Sequence, residues 1–182
     1  MASGSITTNG SNGTSHSFTD LPEKSSPTLV LLHPTEQEKI TIWNKNGESW
    51  RGALSVEAYL RREHHLSDQE LTKEGGISYW ILVDSAAKDR IVLAACETYR
   101  KKALVARNRE VEEVVSHGIG SVFSPPEFRG RGYASRMMKL LGEKLKTWQA
   151  TDEEGCAFSI LYSDIGKVRY HNLVSVLSPN LF

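Results

Sequence analysis

The chain has almost no cysteine, no net charge and no long apolar run, and each shortage removes a class of function. Cys96 and Cys156 are the only cysteines in 182 residues, too few for the disulfide framework of a small secreted domain. One sits inside an apolar strand-like run and the other beside one, so both read as buried, reduced thiols. Twenty-two basic residues balance 22 acidic ones. No broad field therefore draws the chain to nucleic acid or to anionic lipid. No apolar stretch approaches the ~20 residues of a membrane span, and no hydrophobic signal segment follows Met1. A soluble, cytoplasmic protein is the expectation. Metal ligands are equally scarce. His64-His65 beside Glu63 point in different directions on a helix, and no Cys or His stands at ligand spacing, so no metal site is expected.

Residues 1–27 are dominated by Ser, Thr, Gly and Asn, with too little apolar content to offset the entropy of ordering, and read as a disordered tail. Asn9-Gly10-Ser11 and Asn12-Gly13-Thr14 match a glycosylation pattern that means nothing without secretion, and the lack of Arg argues against a mitochondrial transit peptide. The remaining length supports one domain. Leu29 to His33 is a short apolar run stopped by Pro34, and Thr35 with Glu38 forms a capping box for a helix to about Asn44. Asn46-Gly47 separates it from a second helix, Ser55 to about Glu63. Ile77 to Val83 and Ile91 to Cys96 read as a hairpin of two central strands around the turn Asp84 to Asp89. A further strand, about Val114 to Phe123, leads into Pro125-Pro126, and Ala157 to Tyr162 forms the last.

Between those last two strands lies the most informative segment. Arg129-Gly130-Arg131-Gly132-Tyr133-Ala134 opens a helix whose apolar stripe is Tyr133, Ala134, Met137, Met138, Leu140, Leu141, Leu145 and Trp148, with Lys144 intruding. A helix start leaves about four backbone N–H groups unpaired and concentrates roughly half a positive charge, so it stabilises an anion. Gly130 and Gly132 let phosphate oxygens approach the backbone, and Arg129 and Arg131 add forked donors. The segment therefore reads as a grip for a pyrophosphate. A dinucleotide fingerprint started at Gly130 places Ser135 where Gly or Ala is required. A P-loop fails because the only Gly-Lys pair, Gly166-Lys167, is followed by Val168.

The run Glu127 to Ala134 resembles the acetyl-CoA signature of the GCN5-related N-acetyltransferases: Arg129, Gly132 and Ala134 fill its three fixed positions. Strand, two helices, three strands, helix, strand is also that family's order. Within it the chain looks closest to the fungal lysine N6-acetyltransferases, judging from His33-Pro34-Thr35, Cys96-Glu97-Thr98, Ser121 to Glu127 and Tyr162 to Lys167. The resemblance implies an α/β (α+β) fold with a mixed, mostly antiparallel sheet flanked by helices. It also implies acetyl-CoA as cosubstrate and an amine, lysine's side chain, as acceptor. Residues 129 to 134 would hold the pyrophosphate, and backbone groups of Val122 and Phe123 would align pantetheine and polarise the thioester. Glu97 is the candidate base, with pairing to Arg100 as its alternative reading. Tyr170 falls where the family places its tyrosine acid.

After Lys167 the sequence departs from the family. The expected domain is 28–167, incomplete by the last strands, with 168–182 a tail foreign to it, and strand Ala157 to Tyr162 would then be an exposed edge prone to aggregation. Val168-Arg169-Tyr170 corresponds to codons of the form GTN-CGN-TAY, which can match a 5′ intron boundary, so translated intron is one expectation for this tail. A non-catalytic CoA-binding remnant is the alternative function. Oligomeric state is not legible.

Overall fold

The first helix begins where its capping pair demands. Thr35 Oγ1 accepts from the Glu38 amide at 3.2 Å while the Glu38 carboxylate accepts from the Thr35 amide at 2.7 Å, which satisfies two donors the helix start would otherwise strand. The computed structural model describes residues 21–150 and 156–161. Its elements run β1 (Leu29–Leu32), α1 (Glu36–Trp50), α2 (Val56–Ser67), β2 (Ile77–Asp84), β3 (Ala94–Arg107), β4 (Glu110–Phe123), a short 3-10 turn (Pro126–Phe128), α3 (Tyr133–Leu145) and β5 (Cys156–Leu161).

The five strands form one sheet in chain order. Every neighbouring pair is antiparallel except β4 and β5, which run parallel. This is the mixed, mostly antiparallel α/β architecture expected. Alternation within strands sorts the two faces. Trp80, Leu82, Ala94, Cys96 and Ile119 pack with Tyr133, Met137, Met138, Leu141 and Leu145 of α3. Ile81, Val83 and Ala95 look the other way, toward Ile42 of α1. Met137, Leu141 and Leu145 are wholly buried, each contributing about 1.5–3 kcal/mol. The charged intruder in that stripe, Lys144, lies on the rim with its ammonium over the Trp148 ring at 5.1 Å. Both cysteines are buried and free.

Several boundaries differ from the sequence expectation. Helix α1 passes through Asn46-Gly47 and ends at Trp50; Gly47 is there because a Cβ would stand 3.1 Å from the Tyr59 ring of α2. The break falls instead in the connection containing Gly52 (φ +55°). Helix α2 continues to Ser67. Helix α3 stops at Leu145, and Gln149 takes a left-handed turn with φ +56°.

The largest correction concerns β3, expected over Ile91 to Cys96. Arg90 is held by Glu38 at 2.7 Å and by the His33 carbonyl at 2.9 Å, so the chain crosses the start of α1 before joining the sheet at Ala94. It then continues to Arg107 and returns as β4 from Glu110, through Asn108 and Arg109 with φ of +52° and +71°. Positive φ at both turn residues matches the twist of a tight hairpin. Its outer half exposes Leu104 and Val111, and its one short apolar run, Ala103 to Ala106, stands between charged residues and was not read as a strand. Residues 21–27, grouped with the tail by composition, lie along α3: Leu21 packs against the core, and the Pro22 and Ser26 carbonyls accept from Tyr133 and Arg136.

Candidate active site

The glycine-rich loop starts from an anchored turn. Phe128, 5% exposed, is sunk in the core, and the Phe128 amide donates to the Pro125 carbonyl at 2.9 Å. The chain then passes Gly130 with φ +80° and caps α3 with Gly132 at φ +81°, conformations that a Cβ makes costly. The first helical bond runs from the Arg136 amide to the Gly132 carbonyl at 3.0 Å. The amides of Tyr133, Ala134 and Ser135 precede that ladder and carry the positive end of the helix dipole. A Cβ built on Gly130 meets nothing within 4 Å, which leaves an open cradle of the kind a phosphate needs. The residues present fit a diphosphate.

The side chains of the hexad divide their work. Tyr133 is 1% exposed and its hydroxyl donates to the Pro22 carbonyl at 2.6 Å, so it offers an anion only its amide. Burial pushes its phenol upward, and the nearby Arg131 guanidinium opposes that rise. Arg129 donates from Nε to the Ser124 carbonyl at 3.1 Å and lies over the Phe123 ring at 5.5 Å. The stem of Lys24, a residue that the sequence reading did not single out, packs beside the cap, its Cδ 2.8 Å from a Cβ built on Gly132. Only the fold brings residue 24 to this loop.

One strand earlier, β4 carries a bulge. Ala95 pairs with Phe123 but Glu97 pairs with Gly120, so Ser121 and Val122 together face Cys96 alone. Ser121 takes φ +50°, and such an extra residue bends the strand and re-aims the groups beyond it. Val122 and Phe123, the residues assigned to pantetheine, lie immediately past the bend. The Phe123 ring is flanked by Arg129 and, at 5.8 Å, by the half-exposed Trp50.

Glu97 lies across from that bulge, on the sheet face opposite α3. It is 9% exposed. Its Oε1 accepts from the Tyr99 hydroxyl at 2.7 Å and from the Ser121 hydroxyl. The pairing with Arg100 considered from sequence is replaced by these two hydroxyls, because Tyr99 shares its face and Arg100 points away. Burial raises the carboxyl above the usual range and Glu63 adds to the rise, while the Ser121 and Tyr99 bonds hold it down. Gly120 leaves room for the Tyr99 ring, from which a Cβ there would stand 3.3 Å. The surrounding phenols respond in kind. Tyr59 is pushed to about 12, chiefly by burial, and Tyr79 and Tyr99 are driven up by burial and by the Glu97 charge.

The structure thus brings Glu97, Val122 and Phe123 to one bulged pair of strands and places the hexad directly after it. Tyr170 lies outside the described residues. Ser121 and Tyr99 were not singled out from sequence, although the i, i+2 spacing of Glu97 and Tyr99 puts both on one strand face. A cavity of about 560 Å³ lies under α1, lined by Ile42, Ile91, Val92, Ala95 and Phe128 among others and sharing Phe123 with the bulged strand pair. It touches neither Glu97 nor the two loop glycines. Among the described residues no group of three or more His, Cys, Asp or Glu could hold a metal ion, and no helix is long and apolar enough to cross a membrane.

A sheet whose bulged fourth strand feeds a glycine-bracketed helix start defines an anion-gripping α/β fold of the N-acetyltransferase type. No family model matches the chain. It is 35% identical over 91 residues to a lysine acetyltransferase of Yarrowia lipolytica, a match covering 50% of this chain and 22% of that protein. The chain thus spans about a fifth of that relative's length. Among solved structures, a GCN5-related N-acetyltransferase from Kribbella flavida aligns over 79% of this chain and 32% of its own, with TM-score 0.55 and 24% identity. The glucosamine-6-phosphate N-acetyltransferase of Arabidopsis thaliana aligns over 80% of this chain and 90% of its own, with TM-score 0.50 and 18% identity. In fold the chain is similar to these N-acetyltransferases, and half of its sequence is similar to a lysine acetyltransferase.

Proposed function

We propose that this protein transfers an acetyl group from acetyl-CoA to a primary amine, and that the amine is the side chain of lysine. The observation carrying the reading is the loop: two glycines in left-handed conformation beside the unladdered amides of α3, with a buried carboxylate across the preceding bulge. The likeness to a lysine acetyltransferase supports the acceptor. In this reading the domain expected over residues 28–167 takes in residues 21–27 as well and works in the cytoplasm, where its two free thiols stay reduced.

Gly130, Gly132 and the amides of Tyr133 and Ala134 hold the diphosphate, with Arg129 and Arg131 beside it. When bound, acetyl-CoA supplies the acyl group and a thiol leaving group. The bend at Ser121 turns the backbone of Val122 and Phe123 toward the pantetheine arm and the thioester oxygen, a fixed dipole that needs no reorganisation during reaction. A lysine amine titrates near ~10.4 in water, so it arrives protonated. Glu97 takes that proton; burial makes it a stronger base than an ordinary carboxylate. Tyr170 is assigned the return of a proton to the departing thiolate.

The test is release of free CoA by purified protein with acetyl-CoA and lysine, other amines or lysine peptides. Release that depends on lysine supports the reading. Binding of acetyl-CoA without release with any amine supports a non-catalytic CoA-binding remnant instead.

A further inference from the structure

The bulge does more than bend β4. A non-glycine residue at positive φ is uncommon and strained, yet Ser121 holds φ +50° at a place where glycine would sit without strain. The neighbouring position 120 is already glycine. What serine adds is its hydroxyl, which donates to Glu97 Oε1. Tyr99, two residues along β3 from Glu97, donates to the same oxygen at 2.7 Å. Both bonds converge on Oε1, and among the described residues Oε2 accepts none. A carboxylate held by one oxygen is fixed in rotation and presents the other.

We propose that Ser121 and Tyr99 are positioning residues that clamp Glu97 through Oε1 and thereby aim Oε2 at the incoming amine. This rests on the reading of Glu97 as base. Because Ser121 is itself the bulged residue, one amino acid registers the base against the backbone of Val122 and Phe123. The base and the thioester are set in place by the same bend, which is the geometric requirement for proton removal and attack to coincide. Tyr99 is committed as a donor to Glu97, and its phenol is held protonated by that carboxylate and by burial, so it has no free proton to serve as the acid.

The groups facing Glu97 are Tyr59 and Glu63 from α2, Tyr79 from β2, Ser121 from β4, and Tyr99 on its own strand, while the Cys96 thiol feels the Glu97 charge from the other face of the sheet. None but Glu97 and Glu63 is a carboxyl. The acid limb of kcat/KM therefore reads the base, with Glu63 checked by Glu63→Gln.

The experiment compares Ser121→Gly, Ser121→Thr and Tyr99→Phe with the parent, by pH profile of kcat/KM, acetyl-CoA affinity and thermal stability. Ser121→Gly removes the hydroxyl and relieves the strained φ together. The expected result is a protein no less stable than the parent with unchanged acetyl-CoA affinity. Its kcat should fall by about tenfold or more, the worth of a hydrogen bond to a charge, and its acid limb should move to higher pH because a bond that lowered the Glu97 pKa is gone. Tyr99→Phe should move the limb the same way, and Ser121→Thr should restore it. An acid limb that stays put in both Ser121→Gly and Tyr99→Phe while Glu97→Gln abolishes turnover overturns the clamp and leaves the base intact. Full turnover in Glu97→Gln overturns the base reading itself.

Discussion

Replacing Gly130 by alanine separates what the loop contributes to folding from what it contributes to binding. Gly130 holds φ +80°, which costs a residue with a Cβ about 1–2 kcal/mol. The new methyl meets nothing within 4 Å, so no clash adds to that figure. For a domain of this size, stability should fall by about 1–2 kcal/mol and Tm by roughly 2–4 °C for each of them. Binding should suffer more. The methyl projects into the cradle, where it holds a phosphate off the backbone and loses one or two charge-assisted hydrogen bonds, each worth about 1.5–3 kcal/mol. Acetyl-CoA should then bind at least ~10-fold more weakly. Gly52 is the internal control, since it also has positive φ (+55°) with nothing within 4 Å of a Cβ, but sits between α1 and α2. Calorimetric titration of both alanine variants, beside their melting curves, makes the comparison. Equal losses of affinity in the two variants, or none in Gly130→Ala, would refute the reasoning.

Other outcomes follow from the same geometry. Glu97→Gln should lose about 10²- to 10⁴-fold in kcat yet melt no lower than the parent at neutral pH. The buried carboxyl has a raised pKa, so its ionisation weakens the fold as pH climbs above the unfolded value and through the folded one, and an amide escapes that cost. Turnover in the parent should rise with pH through the raised Glu97 pKa. His117 runs the opposite way: it is fully buried and its pKa is lowered, first by burial. Stability present at high pH should be lost as pH falls through 6.5, the unfolded value, and urea midpoints of His117→Gln should show a smaller loss between neutral and acid pH. Thr35→Ala should cost about 1 kcal/mol in urea denaturation, because both halves of the α1 capping box are formed, and should leave acetyl-CoA affinity unchanged.

What the sequence disclosed tracks where local signals are strong. The capping box at Thr35, the apolar stripe of α3 and the hexad are each encoded within a few neighbouring residues, and each stands in the structure where it was read. The outer half of the β3–β4 hairpin was missed because its turn, Asn108-Arg109, lacks the glycine that usually marks such turns, and because its apolar run, Ala103 to Ala106, is only four residues long and flanked by charge. Gly47 was read as a helix break because a glycine's reason for being there, here the ring of Tyr59, belongs to another element. The proposed cofactor side was legible as the hexad, a local motif. Of the proposed base side only Glu97 was read, since Ser121 is joined to it by the register of β3 and β4 and Tyr99, although on the same strand face, carries no motif of its own. Lys24 reaches the loop across more than a hundred residues, a juxtaposition no local pattern carries.

The measurement that bears most directly on the diphosphate grip is a pair of titrations, acetyl-CoA against S-acetylpantetheine, repeated on Gly130→Ala. If amides at the start of α3 clasp the diphosphate, acetyl-CoA should bind about 100-fold or more tightly than the fragment lacking it. The alanine should remove most of that advantage while leaving the fragment's affinity as it was. Equal affinity for the two compounds, or an alanine that weakens both alike, would contradict it.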